Sequence, residues 1–309
     1  MREPATAANP SVSPPGTSRL TVCVIFNPNA GMRRRGLFQR TLDALDARGC
    51  DVWLHRTDGA GDAETIARDL PPCDRLVVAG GDGTVHEAIN GLRGRDLPLA
   101  LIPLGTANVL AKEMGLARDP EWVARTIVAG NPRPIQLGEV NGRLFVQMMG
   151  VGFDAHVIAR LSRRLKRRLG RIAFVVAFVH VMAGYGRDRY TVTFDDGTQD
   201  SAPFVVIANG RFYGGAFRMA PGARLDEAGL HVCLFRSGGM IAAIRYGLAL
   251  ITNRLPERSD FAIRTGSRLH IAGPVADPIQ ADGECATRLP AEVRTLPGAA
   301  TLMMPPDAP

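Results

Sequence analysis

An α/β domain built on an open parallel sheet, followed by an antiparallel β-sandwich, is the fold class this sequence predicts. Three observations lead there. Short apolar runs rich in Val and Ile alternate with segments of helical spacing up to about residue 130. Polar, Gly-containing segments follow three of those runs. Beyond Asn131–Pro134 short strands separated by turn dipeptides take over.

Taken in order, residues 1–18 carry four prolines with Ser, Thr and Ala and read as a disordered tail. Leu20–Phe26 reads as a buried strand and Leu37–Arg48 as a helix on Leu37, Leu42 and Leu45. Asp51–His55 is the second strand and Asp62–Leu70 the second helix. Leu76–Ala79 is the third strand, followed by a helix over Val85–Leu92 with Val85, Ala88, Ile89 and Leu92 on one face. Leu99–Leu104 is the fourth strand, with a helix near Asn108–Met114. Strands this apolar imply a parallel sheet covered on both faces. The domain boundary is expected near residue 132, so residues 19–132 form the α/β domain and 133–309 the β domain. In the latter, Tyr190–Phe194, Phe204–Ala208, His231–Phe235 and Arg268–Ala272 read as strands and Met240–Ile251 as an apolar helix. Asp195-Asp196-Gly197 reads as a surface turn.

The chain has 309 residues, 37 basic and 30 acidic. Eight of the basic residues fall between Ala155 and Arg187, where no acid occurs; with these set aside, 29 basic residues stand against 30 acidic ones. The basicity is local. Leu161, Leu165 and Leu169 recur every four residues, with Ile158 in register, through Arg160, Arg163, Arg164, Lys166, Arg167, Arg168 and Arg171, which predicts a basic amphipathic helix over 156–170. Anionic lipid headgroups are the partner this charge suits, and no nucleic-acid motif accompanies it. Five cysteines with no C-x-x-C pair argue against a disulfide framework and a cysteine zinc site, and point to a reducing cytoplasm. The longest apolar run, Ile172 to Ala183, is shorter than the ~18 residues of a membrane span. The expected location is therefore cytoplasmic, peripheral at the inner membrane surface.

In an open parallel sheet, ligands bind outside the carboxyl ends of the strands. Asn27-Pro28-Asn29-Ala30-Gly31, Gly80-Gly81-Asp82-Gly83-Thr84 and Gly105-Thr106-Ala107-Asn108 all fall there. Glycines let backbone approach a bulky anion, and a following helix start offers free N–H groups, so together they read as a phosphate cradle. The segment is neither a P-loop nor G-x-G-x-x-G, since His86 occupies the place of the third glycine. Asp82 among the glycines would repel a phosphate unless a cation lies between them, which points to Mg²⁺.

These segments, with Val85-His86-Glu87-Ala88-Ile89-Asn90-Gly91 after the second and Pro103-Leu104 before the third, resemble the three signatures of the diacylglycerol-kinase catalytic-domain family. The likeness continues through Gly214-Gly215 and Ala220-Pro221-Gly222-Ala223 to Asp282-Gly283-Glu284. The resemblance implies transfer of the ATP γ-phosphate to a lipid hydroxyl in a cleft between the two domains. It implies that Asn27, Pro28, Gly31, Gly80, Gly81, Gly83, Thr84, Gly105, Thr106 and Asn108 hold the nucleotide, with Asp82 serving Mg²⁺. Glu87 and Asn90, one helical turn apart, would share a face near the phosphates. Asp282 matches the family's general base, and Glu284 belongs to the same segment. Met32 stands where the family has a lysine after the first glycine; an Arg of Arg33-Arg34-Arg35 is expected as the phosphate partner in its place, with Arg33 the candidate named and the choice among the three open. Asp226 is the candidate for a second, structural Mg²⁺, although His231 stands where that site has its last acid. The rival readings are an NAD-kinase-type enzyme and a catalytically silent lipid- or nucleotide-binding protein. A strand edge in the β domain leaves room for a homodimer.

Overall fold

The computed structural model describes residues 19–31, 34–160 and 188–306. Arg33 and the basic stretch from Arg163 to Arg171 lie outside the described residues, as does the Arg160 side chain. The first lobe alternates β1 (Thr21–Phe26), α1 (Arg35–Ala47), β2 (Asp51–Arg56), α2 (Asp62–Asp69), β3 (Arg75–Gly80), α3 (Asp82–Gly91), β4 (Leu99–Pro103), α4 (Val109–Glu113) and α5 (Pro120–Ala129). The second contains β5 (Asn131–Val140), β6 (Arg143–Phe145), β7 (Met148–Val151), α6 (Phe153–Arg160), β8 (Tyr190–Phe194), β9 (Gln199–Ala202), β10 (Phe204–Ala208), β11 (Phe212–Tyr213), β12 (Phe217–Arg218), β13 (Leu230–Phe235), α7 (Met240–Ile251), β14 (Phe261–Gly266), β15 (Arg268–Ala272), β16 (Pro278–Ala281), β17 (Glu284–Arg288) and β18 (Ala291–Met304).

The expected fold class is the one observed. Strands β2-β1-β3-β4 pair in parallel, and β14-β13-β10-β7-β16-β17 form an antiparallel sheet. Val22–Ile25 are wholly buried because β1 lies inside the sheet under α1, which turns Leu37, Phe38, Ala44 and Leu45 inward. β2 departs from the expectation of strands covered on both faces. It is the edge strand, and it leaves Trp53 and Leu54 exposed. The helix α5 was not expected from apolar spacing, yet its start is written in the chain. The Asp119 side chain accepts the Trp122 N–H at 2.9 Å, with Pro120 in the first turn.

No linker interrupts the chain near residue 132. β5 runs straight through it, paired with β18 from Asn131↔Met304 to Val140↔Val293. Pro132 and Pro134 sit where β5 has a neighbour on one side only, which is where a sheet accepts proline. The far end of β18 then pairs in parallel with β4 at Leu302↔Leu99, so one sheet continues β2-β1-β3-β4-β18-β15-β8-β9 across both lobes. That sheet and the antiparallel sheet enclose a core of Phe145, Val192, Ile207, Val232, Leu269 and Ile279. On its other face the antiparallel sheet carries Phe204, Phe235 and Phe261, covered by Ala242, Ala243, Tyr246 and Ala249 of α7. Among the described residues no helix is long and apolar enough to cross a membrane.

Candidate active site

The three strand-end loops meet, and they are held by backbone. In the first, Asn27 Nδ2 donates to Thr84 Oγ1 at 3.0 Å while Asn27 Oδ1 accepts the Asn29 N–H at 2.9 Å, a tight turn that contains Pro28. Gly31 has φ +62°, and a Cβ there would fall 1.9 Å from the Leu104 carbonyl oxygen. In the third loop the Leu104 and Gly105 N–H groups both donate to Gly80 O, at 2.9 and 3.1 Å. A Cβ on Gly105 would lie 2.5 Å from Gly81 Cα. These glycines were expected to let a phosphate come close; what the structure shows at Gly31, Gly81 and Gly105 is backbone of one loop against backbone of the next. Asn108, in the left-handed region at φ 49°, donates Nδ2 to Gly105 O at 2.8 Å. Thr106 is exposed at the loop tip. Of the three arginines after Met32, Arg34 reaches this loop, its guanidinium donating to the Gly105 and Pro103 carbonyls. Burial, with the charge of Arg118 second, lowers its pKa.

Helix α3 starts at Asp82, and its leading amides, including those of Gly83 and Thr84, have no intrahelical acceptor. The Asp82 carboxylate accepts the Val109 N–H at 2.6 Å through Oδ1, which ties the second loop to the start of α4. Burial raises the Asp82 pKa and the Asp282 charge adds to this, against the Val109 N–H, which lowers it.

The second lobe delivers its acids on one hairpin. Asp282 and Gly283, with φ +48° and +85°, make the two-residue turn between β16 and β17. Two consecutive positive φ values mark the mirror-image turn that suits the twist of a hairpin. The turn aims the Asp282 side chain at β7 and the residues before it. Oδ2 accepts the Val146 N–H at 2.7 Å, and Oδ1 accepts those of Gln147 and Met148 at 2.8 and 3.1 Å. His86 Nδ1, from α3, lies 3.1 Å from Oδ2, and both side chains are almost wholly buried. Burial works against the His86 cation, but the hydrogen bond and charge of Asp282, with the charge of Glu284, outweigh it and raise the His86 pKa. The Glu284 carboxylate lies over the first turn of α3, where a Cβ on Gly83 would meet Oε1 at 2.7 Å. Asp82, Asp282, Glu284 and His86 therefore gather around one helix start.

Other expected residues go elsewhere. Glu87 does not face a phosphate site: its carboxylate accepts the Gly61 and Ala63 N–H groups at 2.9 and 3.2 Å, capping α2. Burial raises its pKa. Asn90 is likewise committed, donating to His86 O and Leu144 O and accepting the Leu144 N–H at 3.0 Å, which fastens β6 to α3. Asp226 lies against two guanidiniums, Arg224 at 3.2 Å and Arg133 at 3.7 Å, rather than among oxygen ligands. Its surroundings do not fit a second cation, and among the described residues no three ligand-type side chains are placed to share one metal ion. His86 was passed over at the sequence level, yet it stands four residues after Asp82, on the same helix face. Asp154 on α6 was missed too: Gln280 donates to its Oδ2 at 2.8 Å, and burial pushes its carboxyl up to about 7.

An α/β lobe with an acid at a helix start is thus closed against a β-sandwich that supplies two more acids on a hairpin. The profile of the diacylglycerol kinase catalytic domain matches residues 21–140, and that of the YegS C-terminal NAD kinase beta sandwich-like domain matches 147–304. "Diacylglycerol kinase" of Bacillus subtilis is 26% identical over 92% of this chain and 96% of its own length. "Probable lipid kinase YegS-like" of Pseudomonas fluorescens is 30% identical over 87% of this chain and 90% of its own. The crystal structure of a diacylglycerol kinase from Bacillus anthracis superposes with a TM-score of 0.75 at 25% identity, covering 94% of this chain and 99% of that one. The chain belongs to the diacylglycerol kinase catalytic-domain family of lipid kinases, phosphotransferases with an alcohol acceptor.

Proposed function

We propose that the protein transfers the γ-phosphoryl group of ATP, as its Mg²⁺ complex, to the hydroxyl of diacylglycerol or a related membrane lipid. The observation that supports this reading is the gathering of Asp82, His86, Asp282 and Glu284 around the first turn of α3. The leading amides and the dipole of that helix attract phosphate oxygens. Asp82 fits a magnesium ion, because its Oδ1 is held by Val109 while magnesium commonly takes one or two carboxylates and completes its shell with phosphates and water. The ion, when bound, would neutralise charge on the β- and γ-phosphates.

The role of general base shifts from Asp282 to Glu284. A carboxylate offers about four lone-pair sites. Those of Asp282 are filled by three backbone N–H groups and His86. Asp282 thus fixes the geometry of the cleft, whereas no described residue donates to the Glu284 carboxylate. As the lipid oxygen bonds to the γ-phosphorus and the bond to ADP breaks, the hydroxyl proton passes to Glu284. The arginine stretch after Arg160 would meet the anionic headgroups around the substrate, at the cytoplasmic membrane surface.

The test is transfer of radiolabelled phosphate from ATP to a panel of lipids in mixed micelles, with NAD⁺ as a control acceptor. Label is expected on a lipid, dependent on Mg²⁺ and lost in Asp82→Asn. Label on NAD⁺ would make this an NAD-kinase-type enzyme; no label with ATP binding intact would make it a silent binding protein.

A further inference from the structure

Helix α7 is built the wrong way round for a surface helix. Such a helix normally turns its large apolar residues to the core and its polar ones to water. In α7 the residues facing the antiparallel sheet are Ala242, Ala243, Tyr246 and Ala249, three of them alanine. Those facing outward are Met240, Ile241, Ile244, Leu248 and Ile251, with exposures from 48% at Ile244 to 67% at Ile241. At 3.6 residues per turn these five fall within an arc of about 100°. Nine large apolar side chains are exposed among the described residues; five lie on this helix, and a sixth, Phe217, is on β12, which packs against it. This is one continuous patch, and single scattered residues would not explain it.

From Ala228 to Pro256 there is no Asp or Glu, while Arg236, Arg245 and Arg254 are present. Arg236 pairs with Asp200 and Arg254 with Glu257, but Arg245 and Arg218, beside the patch, form no ion pair with a described residue. Arg245 projects from α7 itself at the edge of the apolar arc and is exposed, as is Arg218 beside Phe217. An apolar stripe bordered by arginine matches a surface with an apolar interior and an anionic skin, which describes a bilayer containing acidic lipids. The patch also adjoins the cleft. β12 pairs with β11, β11 packs on α4, and the first amide of α4 is held by Asp82.

We infer that the outer face of α7, with Phe217, is a membrane-docking surface that inserts Met240, Ile241, Ile244, Leu248 and Ile251 into the headgroup–acyl boundary of an anionic bilayer. This surface rests on the lipid-kinase reading for its purpose, since the acceptor resides in a bilayer. It is independent of the arginine stretch after Arg160.

The experiment is flotation of the full chain with vesicles of phosphatidylcholine, alone and mixed with phosphatidylglycerol. The wild type is expected to float with the mixed vesicles, and the double variant I244Q/L248Q to bind them at least about tenfold more weakly. Because both side chains already face solvent, circular dichroism and the melting temperature should be unchanged. Turnover on a short-chain diacylglycerol dispersed as monomers should also be unchanged. The variant L248W should give a blue-shifted emission component on adding vesicles. Flotation of the double variant equal to that of the wild type, or no emission shift in L248W, would overturn the assignment. So would conversion of a dimer to a monomer in the double variant with vesicle binding retained, which would give the face to a second copy of the chain. Lipid phosphorylation by a wild type that does not need α7 to float leaves the reaction standing and removes this surface; flotation through α7 without phosphorylation of any lipid does the reverse.

Discussion

The two sides of the cleft achieve rigidity by opposite means. On the α/β side, three loops pack backbone against backbone, with Gly31 on Leu104 and Gly81 on Gly105, and several side chains, Asn27, Arg34, Asp82 and Asn108, each add one or two ties. On the β side a single carboxylate, Asp282, does the locking by collecting the N–H groups of Val146, Gln147 and Met148 and the His86 ring. The first arrangement leaves the leading amides of α3 without an intrahelical acceptor. The second spends a charged group on structure and leaves its neighbour Glu284 for chemistry. Similar-looking motif residues can therefore serve unlike purposes.

The sharpest way to break this comparison is to add one methyl group on the α/β side. Gly105→Ala places a Cβ 2.5 Å from Gly81 Cα, a main-chain collision that no rotamer relieves. The expected cost is roughly 2–3 kcal/mol with loss of phosphotransfer, read by urea unfolding and the lipid assay. Gly36→Ala in α1, where a Cβ would meet nothing within 4 Å, should instead stabilise by up to about 1 kcal/mol and leave turnover alone.

On the β side the comparison is between two adjacent acids. Asp282→Asn turns an acceptor-only group into one that offers two donors to a ring of N–H groups, and should cost roughly 1–3 kcal/mol as well as turnover. Glu284→Gln should abolish turnover with stability and nucleotide binding kept. If Asp282→Asn melts like the wild type while Glu284→Gln remains active, the base returns to Asp282.

The smallest effect is the pH dependence of the bridge between the two sides. The folded pKa of His86 is raised above the unfolded value of about 6.5, so its extra stabilisation is fully present below that pH and is lost as pH rises through the folded value. The stability gap between the wild type and His86→Gln, of order 1 kcal/mol, should narrow as pH is raised from about 6. A gap that stays constant would mean that His86 does not gain a proton's worth of attraction from Asp282.

The strands and helices of the first lobe, α5 apart, could be read from the chain because each is local. An apolar run such as Val22–Ile25 carries its own signal, and so does the Asp119 cap of α5, which was overlooked. The three loops were legible as a set for the same reason. Glu87 and Asn90 were misread because their spacing reveals the shared helix but not the partner, and the partners, α2 and β6, arrive from elsewhere. The course of β5 and β18 across the expected boundary was hidden likewise, since pairing Asn131 with Met304 has no local trace.

What the amino-acid sequence determined by itself was the alternation of elements, the loops at strand ends and the local excess of arginine. All of these depend on neighbours a few residues apart, where backbone sterics and side-chain periodicity decide. What only the tertiary structure decided was which acid is free to react, which glycines face other backbone, and which way α7 turns its isoleucines. Those outcomes depend on contacts between segments tens to hundreds of residues apart, as when Asp282 meets Val146 and His86, and no short window of sequence contains them.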